Sequence, residues 1–170
     1  MAAAGFAMAL LALAAALPSL AQGERVGQVT GLPLPRFVSL KGSEVNVRGG
    51  PGTNYEIVWT YVRSGYPVEV IQEFDLWRRI RDASGEEGWV LGNLLSSERT
   101  AVVAPADGSP TVPLRAEPSA SGRVVAYLAI GVQASVERCA GGWCRLVDPR
   151  FSGWVLQHVL WGVYPNEEFN

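Results

Sequence analysis

The sequence predicts an all-β protein made of two small barrels in tandem. Three observations predict it. The chain repeats itself at an interval of about 66 residues. Each repeat consists of short apolar runs separated by turn residues, and past residue 21 no stretch keeps a 3.6-residue apolar period with caps. Glycine and proline supply 19 and 11 of the 170 residues, which favours many turns over long helices.

The first element is N-terminal. Met1 to Ala21 carries no charged side chain, and its apolar run Gly5 to Leu17 is broken by Pro18. Ser19-Leu20-Ala21 then places small residues at the two positions a signal peptidase reads. Residues 1–21 are expected to be a signal peptide cleaved after Ala21, delivering 22–170 to the periplasm. A retained anchor is the alternative, because 21 apolar residues are long enough to span a bilayer. Residues 22–38, with Pro33 and Pro35, read as an extended lead-in.

The repeat defines the rest. Val45-Asn46-Val47-Arg48-Gly49-Gly50-Pro51 recurs as Val112-Pro113-Leu114-Arg115-Ala116-Glu117-Pro118, and Ile57-Val58 as Val124-Val125. Gly65 matches Gly131. Trp77-Arg78-Arg79-Ile80 matches Trp143-Cys144-Arg145-Leu146, and Gly88-Trp89-Val90-Leu91 matches Gly153-Trp154-Val155-Leu156. Strands are expected over Glu56–Val62, Pro67–Ile71, Trp77–Arg81 and Gly88–Leu91, and over Arg123–Leu128, Gln133–Glu137, Trp143–Val147 and Gly153–Leu156. Five short strands per repeat suit a compact barrel. Single 3₁₀ turns are expected at Asn93–Leu95 and His158–Leu160. The first domain is set at 39–103 and the second, with its tail, at 104–170; Ala104–Pro110 reads as the inter-domain loop. Domains of about 60 residues are marginal alone, so the two should pack together. Trp161 and Tyr164, beyond the repeat, should dock over an open barrel edge.

These strings resemble the bacterial SH3-like domain: Val45 to Gly52, then Tyr55 to Val58, Trp77 to Ile80 and Gly88 to Val90. Gly31 to Lys41 and Leu160 to Pro165 further resemble secreted alphaproteobacterial proteins with two such domains in tandem. The resemblance implies small SH3-like barrels with a cell-wall or protein-binding role and no enzymatic activity of their own. The second repeat departs from it, with Ala116-Glu117-Pro118-Ser119 where the first has Gly49-Gly50-Pro51-Gly52.

Cys139 and Cys144 flank Gly141-Gly142, a strong hairpin-turn signal. The turn sets the two thiols across neighbouring strands, within disulfide reach, and an exported chain can keep the bond. Glu73 and Arg78 hold the same positions in the first repeat, where an exposed cross-strand ion pair is expected instead.

Composition narrows the function. The charge is 14 basic against 16 acidic residues, so a nucleic-acid partner is not expected. After signal cleavage no membrane partner is expected either. No Gly-x-Ser-x-Gly, His-Glu-x-x-His or Walker motif occurs, and no cofactor or metal is expected. His158, the single histidine, follows the last apolar strand, where a turn or surface role suits it. A Cys–His enzyme would need Cys144 free. Glu86 and Glu87 are adjacent and would face opposite sides of a strand. The binding candidates are aromatics that break the repeat: Trp59 aligns with Ala126 and Tyr55 with Gly122, whereas Tyr61 aligns with Leu128 and suits the core. Arg48 joins Tyr55 and Trp59 as a candidate, with a structural hydrogen-bond donor as the competing reading. The function expected is a non-enzymatic periplasmic module that binds peptidoglycan stem peptide or an extended peptide of an envelope protein. The alternative is an envelope assembly protein acting through protein–protein contacts.

Overall fold

The computed structural model describes residues 25–170, so the expected signal segment 1–21 lies outside the described residues. The lead-in begins as a two-stranded ribbon, β1 (Arg25–Val26) against β2 (Pro33–Leu34). The first domain contains β3 (Arg36–Leu40), β4 (Val45–Arg48), β5 (Ile57–Tyr61), β6 (Pro67–Phe74), β7 (Trp77–Arg81), β8 (Glu87–Leu91) and β9 (Leu95–Ser96). The second contains β10 (Thr100–Val103), β11 (Thr111–Arg115), β12 (Val124–Ala129), β13 (Gln133–Ala140), β14 (Trp143–Asp148), β15 (Phe151–Leu156) and β16 (Leu160–Trp161).

The strand order is the same in both sheets: β5-β4-β8-β7-β6-β3-β9 and β12-β11-β15-β14-β13-β10-β16, with every pair antiparallel. Alternation drives it. In β4, Val45 and Val47 are buried and Asn46 is exposed, as a two-residue period requires. Leu40, Val68, Val70, Ile80 and Val90 complete the first core; Ala134, Val136, Leu146 and Val155 occupy the places of Val68, Val70, Ile80 and Val90 in the second. The repeat extends to the irregularities. Bulges fall between Val47 and Arg48 and between Leu114 and Arg115, and again in β6 and β13. Gly65 and Gly131, matched in sequence, both have left-handed φ, +73° and +79°, where a side chain would be strained. The 3₁₀ turns lie at Gly92–Leu94 and Gln157–Val159, one residue earlier than expected.

Three expectations change. Each sheet has seven strands rather than five, because short opening and closing strands join at one edge. Arg36–Leu40, whose first residues were placed in the lead-in, pairs with β6 and opens the first sheet. Thr100–Val103, placed at the end of the first domain, pairs with β13 and opens the second. The connection between sheets is therefore Ser97–Arg99, and Ala104–Pro110 is a loop within the second domain. A short apolar strand carries no mark of the sheet it will join. A surface loop and a linker share one composition.

The tail docks in two places. Phe169 exchanges backbone hydrogen bonds with Cys139 on the open half of β13, N–H to O at 2.9 and 3.1 Å, so it is Phe169, and not the expected Trp161 and Tyr164, that covers this edge. Trp161 and Tyr164 go elsewhere, onto the first domain. The Phe37 ring meets Trp161 edge-on at 5.0 Å and Tyr164 at 4.6 Å. Trp161 Nε1 donates to Pro67 O at 3.2 Å, and Tyr164 Oη donates to Glu69 Oε1 at 2.8 Å. Thr100 Oγ1 donates to Gly65 O at 2.7 Å across the same joint.

Candidate binding surface

Arg48, Tyr55 and Trp59 all sit on the β4–β5 hairpin. Arg48 stands at the bulge, and its Nη1 donates to Thr53 O at 3.1 Å and Tyr55 O at 2.6 Å. Arg115 does the same to Gly122 O at 2.7 Å in the second domain. Both arginines close the loop that follows their strand, so the hydrogen-bond-donor reading describes where Arg48 lies. Tyr55 is 45% exposed. Its ring lies on Gly50, where a Cβ would come within 2.4 Å of it, so glycine is required beneath the ring. Trp59 is half-buried on its own domain's core, opposite Val47 and over Gly88, and is not at the inter-domain joint. It meets Tyr61 edge-on at 6.2 Å, and Tyr61 stacks on Tyr66 at 5.3 Å. Burial, with the Asp82 carboxylate that accepts its proton at 3.1 Å, pushes the Tyr61 hydroxyl above its ordinary pKa. Exposed Ile57 and Val58 extend the apolar surface beside Tyr55.

Two segments of the chain, 41–97 and 108–162, match the family described as the bacterial SH3 domain. The chain belongs to that family. Both matched segments fall within the two sheets described above. A Bacillus subtilis (strain 168) protein that carries the name N-acetylmuramoyl-L-alanine amidase, YrvJ, is 34% identical over 124 residues. The match covers 69% of this chain and 24% of that protein, so the chain spans about a quarter of that relative's length. Among solved structures, NlpC2 from Trichomonas vaginalis is 14% identical, with 75% of this chain and 48% of that one covered at a TM-score of 0.34. An NlpC/P60 family protein from Bacillus cereus ATCC 10987 is 11% identical, with 73% and 55% covered at a TM-score of 0.33.

The twin hairpins of the two SH3 domains are stapled differently. Cys139 and Cys144 form a disulfide with Cα atoms 4.1 Å apart, across a turn in which Gly141 and Gly142 both have positive φ. Glu73 and Arg78 face one another as expected, with Nε 3.6 Å from Oε1. The pair is buried rather than exposed, and Arg78 is not the main partner. Glu73 Oε2 accepts the N–H groups of Val29 and Thr30 at 3.0 and 2.9 Å; Oε1 accepts Thr30 Oγ1 at 2.6 Å and Arg36 Nη2 at 2.9 Å. Burial alone would raise this carboxyl, but the donors of Thr30, Arg36 and Val29 outweigh it and hold the pKa down to about 2. Glu73 thus fastens the lead-in turn onto the open half of β6, the place that Phe169 covers on β13.

Sequence reasoning missed the cleft at the joint, of about 290 Å³, whose lining includes Phe37, Glu69, Arg81, His158, Trp161 and Tyr164. Arg81 binds Glu69 Oε2 through Nε at 2.9 Å and Nη2 at 2.5 Å. Burial and the Glu69 carboxylate push the Tyr164 hydroxyl upward. The one available signal was Trp161 and Tyr164 lying outside the repeat. Among the described residues, no group of three or more His, Cys, Asp or Glu is placed to hold a metal ion.

Proposed function

We propose that the chain is a non-enzymatic binding module of the cell envelope that recognises the stem peptide of peptidoglycan. The observation that carries this reading is the match to the YrvJ amidase, which lies within a quarter of that protein while taking in most of the tandem SH3 region here. A segment shared with a protein named as an N-acetylmuramoyl-L-alanine amidase, but much shorter than it, fits a targeting unit better than a catalytic one. Export through residues 1–21, with cleavage after Ala21, brings the chain to its ligand. The exposed Tyr55 ring, presented on Gly50 with Ile57 and Val58 beside it, is the contact surface in this reading. Trp59 supports that hairpin from below, and Arg48 holds its loop.

The test is co-sedimentation of the 22–170 chain with insoluble peptidoglycan. Wild type should pellet with the wall, and Tyr55→Ala should stay in the supernatant while keeping wild-type circular dichroism. A wild-type chain that does not pellet overturns the reading; a Tyr55→Ala chain that still pellets overturns the assignment of the surface. The alternative, an assembly protein, draws on the edge strands β5 and β12, which expose Val58 on one and Val125 and Tyr127 on the other. Pull-down of the same partner from envelope extract by wild type, and not by Val58→Lys with Tyr127→Lys, would favour it.

A further inference from the structure

The twin hairpins differ in what lies beside them. Phe74 and Trp77 flank the two-residue turn Asp75–Leu76 as a hydrogen-bonded pair, so Glu73 and Arg78 form the next pair, which exchanges no backbone hydrogen bonds. The Glu73 N–H and C=O therefore point away from β7, to the outer edge of β6. Its twin Cys139 turns the same groups to the outer edge of β13, where Phe169 takes both. Among the described residues, no donor or acceptor takes those of Glu73. The lead-in grips the Glu73 carboxylate instead. That side chain has no exposure while the residue as a whole is 8% exposed, so what remains open is main chain. The paired Cys139 is 1% exposed. An unpaired edge of this kind is a template for another strand.

The edge opens into a groove of about 540 Å³ between β6 and the β1–β2 ribbon, whose lining includes Arg25, Val26, Leu34, Ile71, Gln72 and Glu73. The groove continues past Gln72 to Arg79, Arg81 and Glu87. Its charge is positive. Arg36 and Arg78 lie against Glu73, Arg79 against Glu87 and Arg81 against Glu69. Arg25, exposed on β1, has no acidic partner among the described residues. Five arginines thus meet three carboxylates. The second domain shows the chemistry that suits such an edge. The segment on β13 is acidic: Phe169 supplies the main-chain pair, Glu167 lies against Arg99, and Glu168 Oε1 accepts the Gly141 N–H at 3.2 Å.

We propose that the open edge of β6 adds an extended acidic peptide of a partner protein as an antiparallel strand, its main chain pairing with Glu73 and a carboxylate meeting Arg25. The site is separate from the Tyr55 surface and does not rest on the peptidoglycan reading. The test uses the ¹⁵N-labelled 22–170 chain at low ionic strength and the capped peptide Ac-Asn-Glu-Glu-Phe-Asn-NH₂, the sequence of residues 166–170. The readout is the Glu73 amide signal, which should move downfield saturably as its N–H gains an acceptor. The same peptide N-methylated at its Phe loses the donor to Glu73 O and should bind about tenfold more weakly. Arg25→Glu should weaken binding at least about fivefold, the worth of one exposed ion pair, and should keep wild-type spectra away from the groove. A peptide with Lys-Lys in place of Glu-Glu should bind more weakly still. No saturable shift of Glu73, equal binding by the N-methylated or Lys-Lys peptide, or unchanged binding by a folded Arg25→Glu chain would each overturn the proposal. So would a shift at Cys139 in place of Glu73, which would mean that the peptide only displaces the chain's own tail.

Discussion

Replacing Glu73 by glutamine should expose how much of the first domain rests on one carboxylate. The Glu73 side chain has no solvent exposure. Its pKa is depressed from the ordinary 4.5 to about 2, which at neutral pH corresponds to about 3 kcal/mol of folding free energy. The sign follows from the depression. The stabilisation is fully present above the unfolded pKa and is lost as pH falls from about 5 through about 2. Glutamine keeps the size but loses the charge, leaving Arg36 and Arg78 facing a neutral group, and whichever oxygen becomes NH₂ can no longer accept from its donors, the Val29 and Thr30 N–H groups or Thr30 Oγ1 and Arg36. Urea unfolding followed by tryptophan fluorescence at pH 7 should place Glu73→Gln about 3 kcal/mol below wild type. The gap should narrow below pH 4.5 and nearly close by pH 2. Other depressed carboxyls, such as Glu167, which burial would raise but Arg99 and the Tyr164 N–H pull down, titrate in both chains and cancel in the difference. A gap under about 0.5 kcal/mol at pH 7, within the range of an ordinary surface change, or one that does not vary with pH, refutes the reasoning.

Two further outcomes follow from the stapled hairpin and the joint. Cys139→Ser with Cys144→Ser should cost about 2 kcal/mol in the chain-entropy account of so short a loop, and thiol titration of the unreduced wild type under denaturing conditions should detect no free thiol. Phe37→Ala removes the ring that both Trp161 and Tyr164 pack against, and calorimetry should then resolve two transitions where wild type shows one. Tyr164→Phe, which leaves Glu69 its Arg81 partner, should cost only about 1 kcal/mol and keep a single transition.

How legible each feature was depended on the distance over which its cause acts. Alternation in β4, the Gly141-Gly142 turn and the pairing of Cys139 with Cys144 are products of neighbours a few residues apart, so residue order alone specifies them. The duplication carried that information across the chain: the same offset set Glu73 opposite Arg78, and the structure repeats its bulges and its left-handed Gly65 and Gly131 at the same spacing. Long-range partners were out of reach. Nothing local tells β3 or β10 which sheet will accept it. Nothing local tells Glu73 that its donors lie about 40 residues upstream, in a lead-in that reads as an extended segment. The candidate surface divided along the same line. The odd aromatics Tyr55 and Trp59 were visible as breaks in the repeat, yet which ring faces solvent was decided by Gly50 beneath one and by Gly88 and the core beneath the other. The loop 104–110 has the composition of a linker, and only the pairing of β10 with β13 made it a loop within the second domain. Residue order therefore determined the elements and their twofold plan, because those follow from local periodicity and turn chemistry. The burial of a carboxylate, the joint and the unpaired edge of β6 were decided by tertiary packing, because each depends on which distant atoms occupy the space around a residue.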